Sequence, residues 1–450
     1  MNTPTPRPPL QSLDEARAHL LAAVAPLGFS ERVNTFEALG RVLVQEVRSQ
    51  LDVPPADNTS MDGYALRAAD VPVAGTTLAV SQRIPAGVVG APLAPGTAAR
   101  IFTGAQVPAG ADAVVMQEQC EAMPAAPGKT GLGQDLGQVR IGTVPSAGQW
   151  VRRRGEDVRE GAVVLARGTR LTPQALGLAA SVGAGTLQVV RRPRVAVFST
   201  GDELVMPGEP LKPGAIYNSN RFTLRGLLRA AGCEVDDLGI VPDRLDATRA
   251  ALRRAAAGND LIVTSGGVSV GEEDHLRPAV LAEGRLENWQ IAIKPGKPLA
   301  FGAVRRPQAP AGAVRGSGGA AMPDEADEAD AVDVAGEALF VGLPGNPVSS
   351  YVTFLLCVGT VLRVLQGRPP GLPRALPLRA AFDWPRPDKR REFLRVRLDA
   401  AGALELFDNQ SSGVLTSAVW ADGLVDNPPG QAIARGDIVR YLPLAEGVWQ

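Results

Sequence analysis

The stretch that decides the fold is Asp260–Asp274, DLIVTSGGVSVGEED. Leu261, Ile262 and Val263 form a short β-branched-rich run, the pattern of a strand buried on both faces. Thr264, Ser265, Gly266 and Gly267 follow directly. A strand that ends in hydroxyls and glycines offers N–H and O–H groups to an anion such as phosphate. Glu272, Glu273 and Asp274 come next. Acids beside a phosphate loop point to a divalent cation bridging the two.

The same texture extends on both sides of this stretch. Arg194–Phe198 reads as a strand, Ser199–Glu203 (STGDE) as a loop, and Asn220–Ala231 as a helix. Glu234–Val241 is the next strand, ending at Asp243, and Ala247–Ala257 the next helix. Alternating strands and helices predict a mostly parallel sheet between two helical layers, with ligands beyond the carboxyl ends of the strands. Three rich loops on that rim predict a phosphorylated ligand with a divalent metal. Two proline–glycine loops belong to the same domain. Ile293–Pro298 (IKPGKP) sets Lys294 and Lys297 on a stiff turn suited to an anion, and Gly342–Ser350 (GLPGNPVSS) opens an apolar helix predicted over Ser350–Leu365. Residues 305–337 between them read as a disordered, acid-rich loop.

Upstream, Ser12 with Glu15 has capping-box spacing ahead of a helix, and Thr35–Leu43 reads as a second helix. Residues 71–118 alternate as a small β domain, residues 119–138 read as a flexible hairpin insert, and Thr172-Pro173 opens a helix to Ala180. Asp62-Gly63-Tyr64 reads by spacing as an Asp-Gly hairpin turn, with an exposed carboxylate as the functional alternative. Arg152–Asp157 reads as a solvated charge run. The tail 375–450 is predicted to be all β, with Arg391, Arg395 and Arg397 on a surface strand and Gln410–Gly413 as a hairpin turn.

Composition bounds the rest. A chain of 450 residues exceeds one core, so roughly two to four domains follow. Lys+Arg 46 against Asp+Glu 47 gives a net charge of −1 and no reason to expect nucleic acid. Three scattered cysteines and two histidines argue against disulfides and structural zinc and fit a reducing cytoplasm. No run is read as membrane-spanning, so a soluble protein is expected.

Seven stretches carry a resemblance: MDGYA (61–65), RIFTGA (100–105), RRRGED (152–157), STGDEL (199–204), SGGVSVGEED (265–274), IKPGKP and GLPGNPVSS. Together, and in this order, they resemble the molybdopterin molybdenumtransferases, whose relatives include the C-terminal part of gephyrin. The resemblance runs from about residue 12 to 445. It implies a homodimer of multidomain subunits with a helical and extended dimerisation domain (11–52 and 158–190) and an inserted β domain (53–157). A doubly wound three-layer α/β domain (191–370) and a C-terminal β-barrel (371–450) complete the expected subunit. The implied reaction inserts molybdate into adenylylated molybdopterin and releases AMP, with Mg²⁺ on the pyrophosphate. By resemblance, Glu203, Asp243 and Asp274 hold the metal. Asp62, Thr103 and Asp157 of a second subunit face them across the active site. Ser265, Gly266 and Gly267 lie near phosphate, and Lys294, Lys297, Pro344, Pro347, Ser349, Arg395 and Ser412 take substrate positions. Two other classes compete: an adenylyltransferase, which would be a lone α/β domain, and a non-catalytic scaffold of the gephyrin type. Tungstate is an alternative anion.

Overall fold

The computed structural model describes residues 10–123, 136–267, 275–307 and 336–444. Two compact units divide the chain, one of Val33–Leu39 with Gln45–Leu187 and one of the remainder.

The larger unit is built on a six-stranded sheet in the order Glu234–Val241, Arg194–Thr200, Leu261–Ser265, Glu337–Leu343, Pro298–Arg305, Gly284–Gln290. The first four strands are parallel, and Pro298–Arg305 runs antiparallel to both of its neighbours, so the sheet is mixed. Successive residues of the central strands go to opposite faces. Val195, Val197, Leu261, Val263 and Val341 pack with the helix Ser219–Ala230 and the long helix Pro347–Leu365. Ala196, Phe198, Ile262 and Phe340 pack with the helices Leu245–Gly258 and Leu276–Glu283. Strands buried on both faces must be apolar throughout, which is why Leu261–Ser265 has no exposed residue.

Helix Leu13–Ala22 starts at Ser12 with both capping-box hydrogen bonds formed. The helix expected over Thr35–Leu43 is not there. One 3₁₀ turn, Thr35–Glu37, is capped by the Asn34 side chain. Beyond it Gly40 takes φ 75°, and Leu43 pairs with Val189 in an extended bridge. The alternative partner strand and the left-handed glycine override a weak helical pattern.

The expectation that no segment is long and apolar enough to cross a membrane also needs correction. Helix Pro347–Leu365 has 19 residues of mean hydropathy 1.8, yet 83% of it is buried within the protein. It is the core helix under the sheet, and it contains a π-helical stretch at Phe354–Val358.

After residue 370 a second sheet runs in the order Ile293–Lys294, Arg391–Leu398, Gly423–Asn427, Ile438–Pro443, Leu376–Arg379, with Leu404–Leu406 also paired to Arg391–Leu398. One face packs a separate core centred on Leu394, Val396, Leu404 and Val425, while Phe393, Leu424 and Leu442 join the core of the larger sheet. An isolated parallel bridge joins Ala380 to Leu404. The tail is not wholly β: Leu415–Trp420 is helical. Its first strand comes from the IKPGKP segment, so that loop is held to the C-terminal sheet through the main chain.

The smaller unit contains a six-stranded sheet in the order Ala113–Met116, Gly63–Leu66, Thr97–Ile101, Thr76–Ile84, Gln138–Ile141, Cys120–Met123. The last two strands flank the expected hairpin insert, most of which lies outside the described residues. The helix Pro173–Ser181 has Thr172 as its cap and proline in its first turn, as the sequence predicts.

Candidate functional site

Three strands of the large sheet end at one level. Ser199 is the register partner of Ser265, and Ser265 of Leu343. The loops STGDE, TSGG and GLPGNP therefore leave the sheet side by side, as expected for a ligand rim. Together with the KPGKP loop and the Gln410–Gly413 turn they line a cleft of about 970 Å³.

The floor of this cleft is set by backbone. Gly266 and Gly267 hold φ of 87° and 67°, the left-handed region that glycine enters without penalty. A β-carbon on Gly266 would lie 3.1 Å from the Thr200 carbonyl oxygen. The Gly266 N–H donates to the Leu343 carbonyl at 3.1 Å, tying the TSGG loop to the GLPGNP strand. At the opposite side the Val348 N–H, in the first turn of the long helix, donates to the Ser412 carbonyl at 3.0 Å. A helix opening at GLPGNPVSS suggests free N–H groups for an anion, but this one is already taken.

Of the residues expected at the site, the cleft gathers Glu203, Ser265, Gly266, Gly267, Lys294 and Lys297. It also gathers Pro344, Pro347, Ser349 and Ser412. Asp243 does not line it; this half-buried residue donates its N–H to Asp202 Oδ1 at 3.1 Å. Asp274 lies outside the described residues. Among the described residues no group of three His, Cys, Asp or Glu side chains could hold a metal ion. Glu203 is the one carboxylate they present to the cleft.

Arg395 is not on a surface strand. Only 1% of it is exposed, and it is absent from the cleft lining. Its Nη2 donates to the Ser411 carbonyl at 3.3 Å, Nη1 to the Phe393 carbonyl at 3.1 Å and Nε to Ser417 Oγ at 3.2 Å. With no carboxylate among these partners, burial lowers its pKa to about 10. Arg395 supports the Gln410–Gly413 turn from behind.

In the smaller unit Asp62 and Thr103 meet. Asp62 Oδ1 accepts from the Thr103 hydroxyl at 2.6 Å and from its N–H at 2.7 Å, and these bonds hold the Asp62 carboxyl below its ordinary range. Asp62-Gly63 is not a hairpin turn, because Gly63 opens a strand paired on both sides. A β-carbon there would strike the Val115 carbonyl oxygen, which is why glycine follows the aspartate. Arg153 and Arg154 are not simply solvated: Arg153 pairs with Asp57 at 2.7 Å and Arg154 with Asp52 at 2.5 Å. Asp157, three residues on from Arg154, is exposed.

Residues 11–183 match the family description "MoeA N-terminal region (domain I and II)", residues 196–364 "Probable molybdopterin binding domain" and residues 377–444 "MoeA C-terminal region (domain IV)". A molybdopterin molybdenumtransferase of Haemophilus influenzae is 39% identical over 358 residues, spanning 79% of this chain and 78% of that protein. The chain belongs to the molybdopterin molybdenumtransferase family. Membership makes it an enzyme. A second molybdopterin molybdenumtransferase, from Nostoc sp., is 33% identical over 452 residues, 98% of this chain and 94% of that protein. The solved structure of a molybdopterin biosynthesis protein from Pyrococcus horikoshii superposes with a TM-score of 0.75 at 27% identity, covering 96% of this chain and 99% of that one.

Three cleft residues of this molybdenumtransferase-family chain escape a reading of the sequence. Arg390 lines the cleft with its guanidinium paired to Asp388, and only the run of three basic residues Lys389–Arg391 signals it. Asn218 and Asn220 also line it and are buried. Asn218 Nδ2 and Asn220 Oδ1 have no hydrogen-bond partner. Buried amide atoms with no partner are costly, so a ligand group at this place would relieve them. The Asn218 side chain also caps the helix Ser219–Ala230, and an asparagine at a cap attracts no functional reading on its own.

Proposed function

We propose that this enzyme inserts molybdate into adenylylated molybdopterin and releases AMP, completing the molybdenum cofactor. The observation that carries this reading is the composition of the 970 Å³ cleft: a glycine–hydroxyl floor at the sheet rim faces the cations Lys294, Lys297 and Arg390. Backbone and hydroxyl donors suit the pyrophosphate. Cations and the hydroxyls of Ser349 and Ser412 suit a tetrahedral dianion. The cleft is large enough for both anions at once. One cleft holding both couples metal insertion to loss of the adenylate, because the product cannot leave until the phosphoanhydride is broken. Asn218 and Asn220 fit the polar edge of a pterin, whose ring nitrogens and carbonyl match an amide's donor and acceptor.

Glu203, Asp243 and Asp274 are the proposed Mg²⁺ ligands. A bound Mg²⁺ supplies charge neutralisation on the pyrophosphate. Glu203 faces the cleft, and Asp243 follows the strand Glu234–Val241, whose end is level with Thr200. The proposal extends to a homodimer in which Asp62, Thr103 and Asp157 of one subunit complete the cleft of the other. The Asp62–Thr103 pair supports it: an ionised carboxylate held at the head of a strand is placed to orient water or to accept a proton. A soluble, cytoplasmic location fits free thiols and a buried apolar helix.

The test is direct. Purified protein with adenylylated molybdopterin, Mg²⁺ and molybdate should release AMP in step with cofactor formation, and release should stop when molybdate is omitted. AMP release independent of molybdate, or net synthesis of the adenylate from ATP, would refute the reading. Mixing Asp62→Asn with Lys297→Ala protein tests the shared cleft. Hybrid dimers should regain activity that neither parent has.

A further inference from the structure

The cations of the cleft are backed by acids that do not face it. Glu392 is the register partner of Lys294 where the strand of the KPGKP loop joins the C-terminal sheet. Its side chain is wholly buried. Oε1 accepts from Lys294 Nζ at 3.2 Å, and Oε2 accepts from Trp384 Nε1 at 2.8 Å and Asn427 Nδ2 at 3.4 Å. Asp388 lies 3.6 Å from the same ammonium and holds Arg390 through Nε at 3.0 Å and Nη2 at 2.8 Å. Neither acid lines the cleft. Among the described residues, Lys297 alone of the three cations has no ion pair.

We propose that Glu392 is a positioning residue that sets how tightly the cleft holds its oxyanion, by drawing Lys294 back and cancelling part of its charge. This rests on the reading of the cleft as an oxyanion site. Two acids behind the three cations offset part of their charge, so the arriving dianion meets a weaker field than the cations alone would give. A carboxylate sealed among Trp384, Asn427 and Lys294 cannot swing away, so the opposition is built in. An enzyme that must hand its anion on to a dithiolene gains nothing from holding it tightly in the ground state.

The variant Glu392→Gln preserves shape. Its amide oxygen still accepts from Trp384, but its amide N–H₂ then faces the Lys294 ammonium, donor against donor, and Lys294 turns toward the cleft. In the full-length protein at fixed ionic strength, calorimetric titration with molybdate and with sulfate should show both anions bound about tenfold more tightly, the scale of one unit charge at close range in a partly wet site. The molybdate concentration for half-maximal AMP release should fall, and kcat should fall with it. A purely structural strut would instead weaken binding. Unchanged or weaker binding by a folded Glu392→Gln protein overturns the inference. Should that variant not fold, Asp388→Asn decides: tighter binding supports the inference and unchanged binding overturns it. Wild-type protein that binds neither anion overturns the underlying oxyanion reading and this inference with it. Binding by wild type with no gain in the variants overturns this inference alone.

Discussion

Replacing Arg395 by methionine should barely change stability, and the reason can be worked from its surroundings. Burial drops the guanidinium pKa from 12.5 to about 10. At about 1.4 kcal/mol per pH unit, keeping the charge inside costs roughly 3 kcal/mol. Against this stand three hydrogen bonds from the charged head to the Phe393 and Ser411 carbonyls and to Ser417 Oγ. Each contributes roughly 1 kcal/mol at such lengths, so the two effects nearly cancel. Methionine fills most of the volume, and the unfolding midpoint in urea should shift by no more than the equivalent of about 1 kcal/mol. Alanine instead leaves a cavity, and a loss of roughly 2–4 kcal/mol follows. The Ser411 carbonyl loses its donor in both variants, so amide exchange across Ser411–Gly413 should accelerate. A methionine variant as damaged as the alanine variant would mean that the buried charge itself stabilises the fold. Unchanged exchange would mean that Arg395 does not support the turn. Either result refutes the reasoning.

Other consequences are open to measurement. Gly266→Ala must hold a left-handed φ with its β-carbon 3.1 Å from the Thr200 carbonyl, so a loss of roughly 1–3 kcal/mol and a marked fall in AMP release are expected, read by thermal melting and turnover. Lys297→Ala should weaken molybdate binding at least about tenfold and flatten its dependence on salt, since it removes the cleft cation that has no ion pair among the described residues. Thr103→Ala should raise the Asp62 pKa toward the ordinary carboxylate value, seen as a higher midpoint in a carboxyl carbon NMR titration. Burial pushes the thiols of Cys233 and Cys357 up to about 12 and that of Cys120 to about 11, so iodoacetamide at pH 8 should leave all three unmodified until the chain is unfolded. Folded-state pKa values above the unfolded one mean that their contribution to stability is complete below pH 9 and is lost as pH rises from there toward 12.

The α/β half of the fold was legible because its signal is a burial pattern. Leu261–Val263 can be read as a two-faced strand from composition alone, and Ser12 with Glu15 marks a helix start by spacing alone. Thr35–Leu43 was misread because its partner at Val189 is some 150 residues away, and a bridge formed at that distance leaves no local trace. The cleft was legible wherever a loop carries glycine and proline, since those residues record backbone shape. It was not legible where a side chain's role depends on which way it faces. Arg390 and Arg395 are five positions apart, one just before the strand and one within it, and nothing in the run RREFLR says which faces solvent.

That same run contains the larger lesson about the cleft. Reading cations as anion ligands counts charges but not their partners. Lys294, Arg390 and Lys297 look equivalent in the sequence, yet buried Glu392 and half-buried Asp388 claim part of the first two, and only the pairing of Ile293–Lys294 with Arg391–Glu392 brings those acids there. A strand contributed by one domain to the sheet of the next thus does electrostatic work as well as structural work. It puts a carboxylate behind a lysine across about 100 residues of chain, so the field in the cleft depends on how the two sheets are joined. Loosening that junction, for example with proline at Arg391, whose N–H bonds the Ala292 carbonyl at 2.9 Å, should alter oxyanion affinity without touching any residue that lines the cleft.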